Sequence, residues 1–151
     1  MSKRRELLKG LAVGSVWAAP VVSSIVLPVH AQTSCLLLIL SCHINDTYNG
    51  EYVSSDQWGD RPHYTNGKGA HLYFYDSDLW GGGSGWSLDT RDQSSESNPG
   101  SLDQYNGGYF SISTSEAGYC PPTGELSMDA GEVDNPGTIC LVPSGESCSC
   151  S

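Results

Sequence analysis

The feature that most constrains this chain is the placement of its six cysteines. Cys35 and Cys42 lie before residue 43, and Cys120, Cys140, Cys148 and Cys150 lie after residue 119. The long stretch between them holds none. In an exported chain, such a set reads as three disulfides that clamp the two ends around a cysteine-free middle. Cys148 and Cys150 are too close to favour bridging each other. At least one bridge is therefore expected between the N-terminal pair and the tail, closing a long loop worth roughly 4–5 kcal/mol in the chain-entropy view. The rival reading is a metal or iron–sulfur site. Thiolate clusters normally show two tight ligand pairs, whereas the tight spacing here is Cys148-x-Cys150 alone. A blue-copper set would also need a ligand methionine near a Cys-His pair, and Met128 is remote from any such pair.

Export is expected from the first 31 residues. Arg4, Arg5, Leu7, Leu8 and Lys9 sit on the positions of the twin-arginine motif, so the segment resembles a Tat signal peptide. A moderately apolar stretch follows from Leu11 to Val29, interrupted by Pro20 and Pro28. Val29-His30-Ala31 is a small-x-small site, which places cleavage between Ala31 and Gln32. The resemblance implies the Tat translocase and a signal peptidase as partners during export, and a periplasmic or secreted location. Two departures stand out: Lys3 occupies the first consensus position, and no Lys or Arg precedes the cleavage site. The alternative is an uncleaved anchor, which the two prolines and several polar residues oppose.

Removing residues 1–31 leaves 120 residues with 3 basic and 16 acidic side chains, a net charge of −13. A chain of that length is one domain and can bury a real core. With Arg61, Lys68 and Arg91 as its whole basic complement, it is unsuited to nucleic acid. It is equally unsuited to anionic lipid, and no stable membrane insertion is expected.

The mature part, 32–151, reads as all-β: a small antiparallel meander or sandwich with a disulfide-stapled, irregular C-terminal tail. Leu36 to Leu40 is a run of aliphatics between two cysteines, which fits a strand buried on both faces. From 45 to 113 the chain consists of short aromatic-rich pieces separated by turns, with no helical period. Expected strands are Gly50–Val53, Pro62–Thr65, Ala70–Tyr75, Gly85–Leu88 and Tyr105–Ser113. Asn66-Gly67 is a hairpin signal, and Asp92 to Asp103 reads as an exposed loop. From 114 to 151 the chain is rich in Cys, Pro and Gly.

Within the aromatic section, Asn49-Gly50-x-Tyr52, Arg61-Pro62-x-Tyr64, His71-Leu72-Tyr73-Phe74-Tyr75, Gly85-Trp86 and Tyr105-Asn106-Gly107-Gly108-Tyr109 follow one another. That series resembles a small β-meander module of secreted and surface proteins. The resemblance covers about residues 49–110 and implies an extracellular β-meander with no assigned activity.

Candidate chemistry is sparse. His63 and His71 flank the Asn66-Gly67 turn; a three-residue loop makes them face each other, and a two- or four-residue loop separates them. The acids pair up as Asp56/Asp60, Asp76/Asp78 and Asp89/Asp92, with Asp129/Glu132/Asp134 further on. None follows an EF-hand pattern, so calcium is the one cofactor left open and no other is expected. No Gly-x-Ser-x-Gly elbow is present, and no carboxylate pair can be assigned a glycosidase spacing. On the strand ending at Tyr75, Leu72 and Phe74 fall on one face, and His71, Tyr73 and Tyr75 on the other. With the aliphatic face inward, Tyr73 and Tyr75 present an outer ring stripe, joined by Trp58, Trp80 and Trp86 from neighbouring segments. Such rings stack on sugars or on protein partners. The expected function is a noncatalytic exported binding or structural module with a carbohydrate or surface-protein ligand. Its rivals are a small Tat-exported metal or iron–sulfur redox protein and a small hydrolase with no nameable nucleophile.

Overall fold

The computed structural model describes residues 35–90, 102, 107–129 and 137–150. Arg4, Arg5, Leu7, Leu8, Lys9, Ala31 and Gln32, and most of the 92–103 loop, lie outside the described residues. Among the described residues, eight strands form one antiparallel sheet. They are β1 (Leu37–Ser41), β2 (Gly50–Trp58), β3 (Arg61–Asn66), β4 (His71–Tyr75), β5 (Gly85–Asp89), β6 (Tyr109–Ser111), β7 (Gly124–Ser127) and β8 (Thr138–Pro143). One helical turn, α1 (Ser77–Trp80), follows β4 and is capped by the Asp76 carboxylate, which accepts from the Asp78 amide.

The spatial order is β6-β5-β4-β3-β2-β1-β8-β7. The first six strands are thus a meander, and the β7–β8 hairpin is added beside β1. A paired bridge between Tyr109 and Asp129 (N···O 2.9 and 2.8 Å) joins the two ends of the sheet and nearly closes it into a barrel. The all-β, antiparallel expectation is met. The stapled tail also supplies β7 and β8, which the sequence pattern had not marked as strands. β8 fits the space beside β1 because Ile139 and Leu141 alternate with outward positions, and Leu141 sits opposite Leu40.

Period-2 alternation fills the interior. Leu38, Leu40, Tyr52, Tyr64, Leu72, Phe74, Trp86, Leu88, Leu126, Met128, Ile139 and Leu141 pack into one cluster. In β1 only alternate residues are fully buried. Leu38 and Leu40 point inward, while Leu37 and Ile39 are half-buried, which corrects the expectation of a strand covered on both faces. Phe74 meets Trp86 edge-on, with centroids 5.6 Å apart. Arg61 stops one end of this interior. Its guanidinium lies 4.1 Å from the Phe74 ring centroid and donates to the Gly118, Thr114 and Ala117 carbonyls and to Asp60.

All six cysteines are paired: Cys35–Cys120, Cys42–Cys150 and Cys140–Cys148. Two bridges therefore run from the N-terminal pair to the tail, and Cys148 and Cys150 take separate partners. Three disulfides fit an oxidising, extracytoplasmic environment. Among the described residues, no helix is long and apolar enough to cross a membrane.

Candidate functional site

The hairpin between β3 and β4 decides what the outer wall can display. Tyr64 pairs with Leu72 and Thr65 with His71. The Asn66 amide reaches the Ala70 carbonyl at 3.0 Å, leaving Gly67, Lys68 and Gly69 as a three-residue loop. Asn66 Oδ1 accepts from the Lys68 and Ala70 amides, and Gly69 closes the turn at φ +88°, a left-handed conformation that glycine takes without penalty. With this loop length, His63 and His71 share the outer face. The second contribution comes from β2. Its register to β3 shifts between Ser54 and Asp56, a β-bulge that turns Asp56 toward His63.

The result is a row of three side chains across three strands. Asp56 Oδ1 lies 2.6 Å from His63 Nδ1, and His63 Nε2 lies 2.8 Å from His71 Nδ1. The imidazole planes differ by 4° and their centroids are 5.1 Å apart, so the rings lie side by side with the two nitrogens aimed head-on. The Trp58 indole stacks flat on His63 at 3.9 Å and extends toward His71. His63 is buried, and His71 is partly so. Burial holds the His63 imidazole below its ordinary pKa, outweighing the opposing pull of the Asp56 hydrogen bond and of the Asp56 and Asp89 charges. Asp89, on β5 directly across from His71, is itself fully buried.

This geometry suits a proton better than an ion. Two imidazole nitrogens on one tetrahedral metal at roughly 2.05 Å stand about 3.3 Å apart with converging lone pairs; here they are closer and collinear. Among the described residues, no three His, Cys, Asp or Glu side chains converge as metal ligands. Asp76 is engaged by the Asp78 amide, Thr114 and Arg61.

The ring stripe expected on the outer face is present but covered. Tyr73 is 0% exposed and Tyr75 3%, and with Trp58 they form a second, smaller apolar cluster that Trp80 and Leu102 pack against. The expectation that Tyr73 and Tyr75 face solvent is corrected on this point. The polar-looking side of β4 is a second buried layer, because the segments after β4 pack back onto it. Trp86 is separated from the other four rings and lies inside the barrel. Leu72 and Phe74 point inward, as the alternation requires.

What the outer wall does expose is a shallow groove of about 500 Å³ beside the hairpin, lined among others by Asn49, Glu51, Val53, Thr65 and Lys68. Val53, one of its lining residues, is 46% exposed. Val53, Thr65 and His71 form one cross-strand row, so the groove adjoins the histidine pair. Lys68 is held by the Asp46 carboxylate at 2.7 Å, which lowers the Asp46 pKa. His43, also buried, has a structural role. The Asn45 amide donates to its Nδ1, and its Nε2–H donates to the Gly107 carbonyl at 2.8 Å, tying the β1–β2 connection to the segment before β6.

Sequence reasoning named the two histidines but not Asp56 as their partner, since a bulge leaves no signature in Val53-Ser54-Ser55-Asp56. It also missed the groove residues, which are ordinary strand residues until the register is known. Comparison with known proteins gives no matching family model, no matching curated protein and no matching solved structure.

Proposed function

We propose that the chain is exported through its Tat-like leader, cleaved before Gln32, and works in the periplasm or outside the cell as a noncatalytic binding module. The filled interior carries this reading. Trp86, Tyr52, Tyr64 and Phe74 are among the largest fully buried side chains and fill the interior, so a ligand is expected to meet the outer wall. There the groove beside β2 and β3 offers one apolar side chain, Val53, among polar and charged ones: Thr65, Asn49, Glu51 and Lys68. That mixture suits a small, neutral, hydroxyl-rich ligand, with carbohydrate the first class to test. The acidic surface keeps such a module soluble and away from anionic polymers.

The test uses the chain from Gln32 onward, ¹⁵N-labelled and titrated with a panel of neutral oligosaccharides. The expected result is saturable shifts confined to the Glu51–Val53 and Thr65–Lys68 amides, lost in Val53→Glu, which buries a charge against the ligand. Saturable shifts that map elsewhere, or a panel without any saturable shift, overturn the groove as the site. Export is tested separately: Arg4→Lys with Arg5→Lys is expected to trap the precursor in the cytoplasm.

A further inference from the structure

We infer that the Cys42–Cys150 bridge is a thiol-exchange site of fixed polarity: an incoming thiolate bonds to Cys150 Sγ, and Cys42 leaves. The site does not depend on the ligand of the groove. The three bridges differ in what covers them. Cys35–Cys120 has one end 3% exposed and the other packed against the core, and Cys140–Cys148 has Cys140 at 1%. Cys42–Cys150 instead joins a half-buried residue to the one exposed cysteine of the six. Exchange requires a thiolate to reach one sulfur, so access selects both the bridge and the atom attacked. That atom is Cys150 Sγ.

Two features of Cys42 suit it to leave. Its backbone stands at φ +71°, the one non-glycine among the described residues in the left-handed region. A residue with a Cβ stays there only while its surroundings hold it, and the link to Cys150 is one of those constraints. Opening the bridge lets Cys42 return to an ordinary conformation. Ser41 Oγ lies 3.7 Å from Cys42 Sγ. A disulfide sulfur carries no hydrogen, so the hydroxyl is the donor of that contact, placed to stabilise the thiolate that forms as the bridge breaks.

The co-reactant is a thiol. Its thiolate forms a bond to Cys150 Sγ while the bond between the two cysteine sulfurs breaks, and the electron pair leaves on Cys42, which takes a proton from water. The products are a Cys150 mixed disulfide and a Cys42 thiol. With a dithiol, the second thiolate attacks the reagent's own sulfur in that mixed disulfide, closes a cyclic disulfide and releases Cys150, which is protonated in turn. Two electrons have then passed from the dithiol to the bridge. The net charge of −13 over 32–151 disfavours anionic thiols, so a neutral thiol is the class that fits. The relaxation of Cys42 passes to His43, whose amide and carbonyl are both bonded by the Asn49 side chain.

The test treats the oxidised chain from Gln32 with 2-mercaptoethanol, a neutral thiol. Samples are quenched with acid at early times, alkylated with N-ethylmaleimide and mapped by peptide mass. The expected first product carries mercaptoethanol on Cys150 and maleimide on Cys42, with Cys35–Cys120 and Cys140–Cys148 intact. Ser41→Ala is expected to slow this opening several-fold, and Ser41→Thr, which keeps the hydroxyl, to restore it. In ¹H–¹⁵N spectra of the opened chain, amides from Cys42 to Asn49 are expected to shift while those of Phe74 and Trp86 stay in place. First reaction at another bridge, or equal reaction at all three, overturns the site. An adduct on Cys42, or a Ser41→Ala chain that opens as fast as the unaltered one, overturns the polarity. Unmoved amides between Cys42 and Asn49 overturn the release of the Cys42 backbone.

Discussion

The two halves of this barrel are held by different means. β1, β7, β8 and the segments beside them contain every cysteine, and their contacts are secured by Cys35–Cys120, Cys42–Cys150 and Cys140–Cys148. β2 to β6 contain none and are held by rings: Tyr64, Phe74 and Trp86 inside, Trp58, Tyr73 and Tyr75 outside. The stapled half depends on its redox environment, whereas the aromatic half depends on shape and on protonation. The aromatic half contains no cysteine, so its assembly needs no oxidant.

The largest effect is expected from cutting the longest staple. Cys42→Ser with Cys150→Ser opens a link spanning 108 residues and is expected to cost roughly 4–5 kcal/mol by denaturant unfolding. The aromatic half should keep its native chemical shifts; a collapse of the Trp86 and Phe74 signals in the folded variant would break the division into two halves. Phe74→Ala comes next. It empties a site that is 2% exposed between Trp86 and the Arg61 guanidinium, at an expected cost of about 3–5 kcal/mol. Tyr73→Ala, on the other face of the same strand, is expected to destabilise as well because that ring is fully buried. A surface ring there would have been nearly neutral.

Acid sharpens the contrast further. His63 in the folded chain lies below its ordinary pKa because burial disfavours its cation, so the unfolded chain binds that proton more readily. The stability it contributes is complete above the unfolded value of about 6.5 and is lost as pH falls below it. Melting temperatures from pH 8 to 5 are expected to fall across that window, and His63→Gln to flatten the slope there; disulfides do not titrate and add nothing to it. The smallest effect belongs to Tyr64→Phe. The Tyr64 hydroxyl is buried with no hydrogen-bond partner among the described residues, so its removal is expected to be neutral or to stabilise by up to about 1 kcal/mol.

Much of the fold was legible in the sequence, for local reasons. Asn66-Gly67 marked the hairpin, alternation at Leu72 and Phe74 marked the inner face, and the cysteine spacing demanded bridges between the two ends. What alternation cannot show is how far a sheet curls. Tyr73 and Tyr75 read as an outer stripe because their neighbours in sequence are inward; whether later segments pack over them is a tertiary matter. β7 and β8 were hidden by the prolines and glycines around them, although Thr138 to Val142 contains a plain β-forming run. The site was half legible. The His63–His71 pairing followed from one loop length among three, whereas Asp56 arrives through a bulge and the groove through register, neither of which composition encodes.

The bridge pattern also decides what a protease can accomplish. Cys35 and Cys42 are joined to Cys120 and Cys150, and Cys140 to Cys148, so each peptide bond between Cys35 and Cys150 is spanned by at least one disulfide. A single nick in that span, whether in the 91–101 segment or in the tail, releases no fragment. The cut pieces remain one covalent molecule, heavier by one water, and they separate only when a reductant follows the protease.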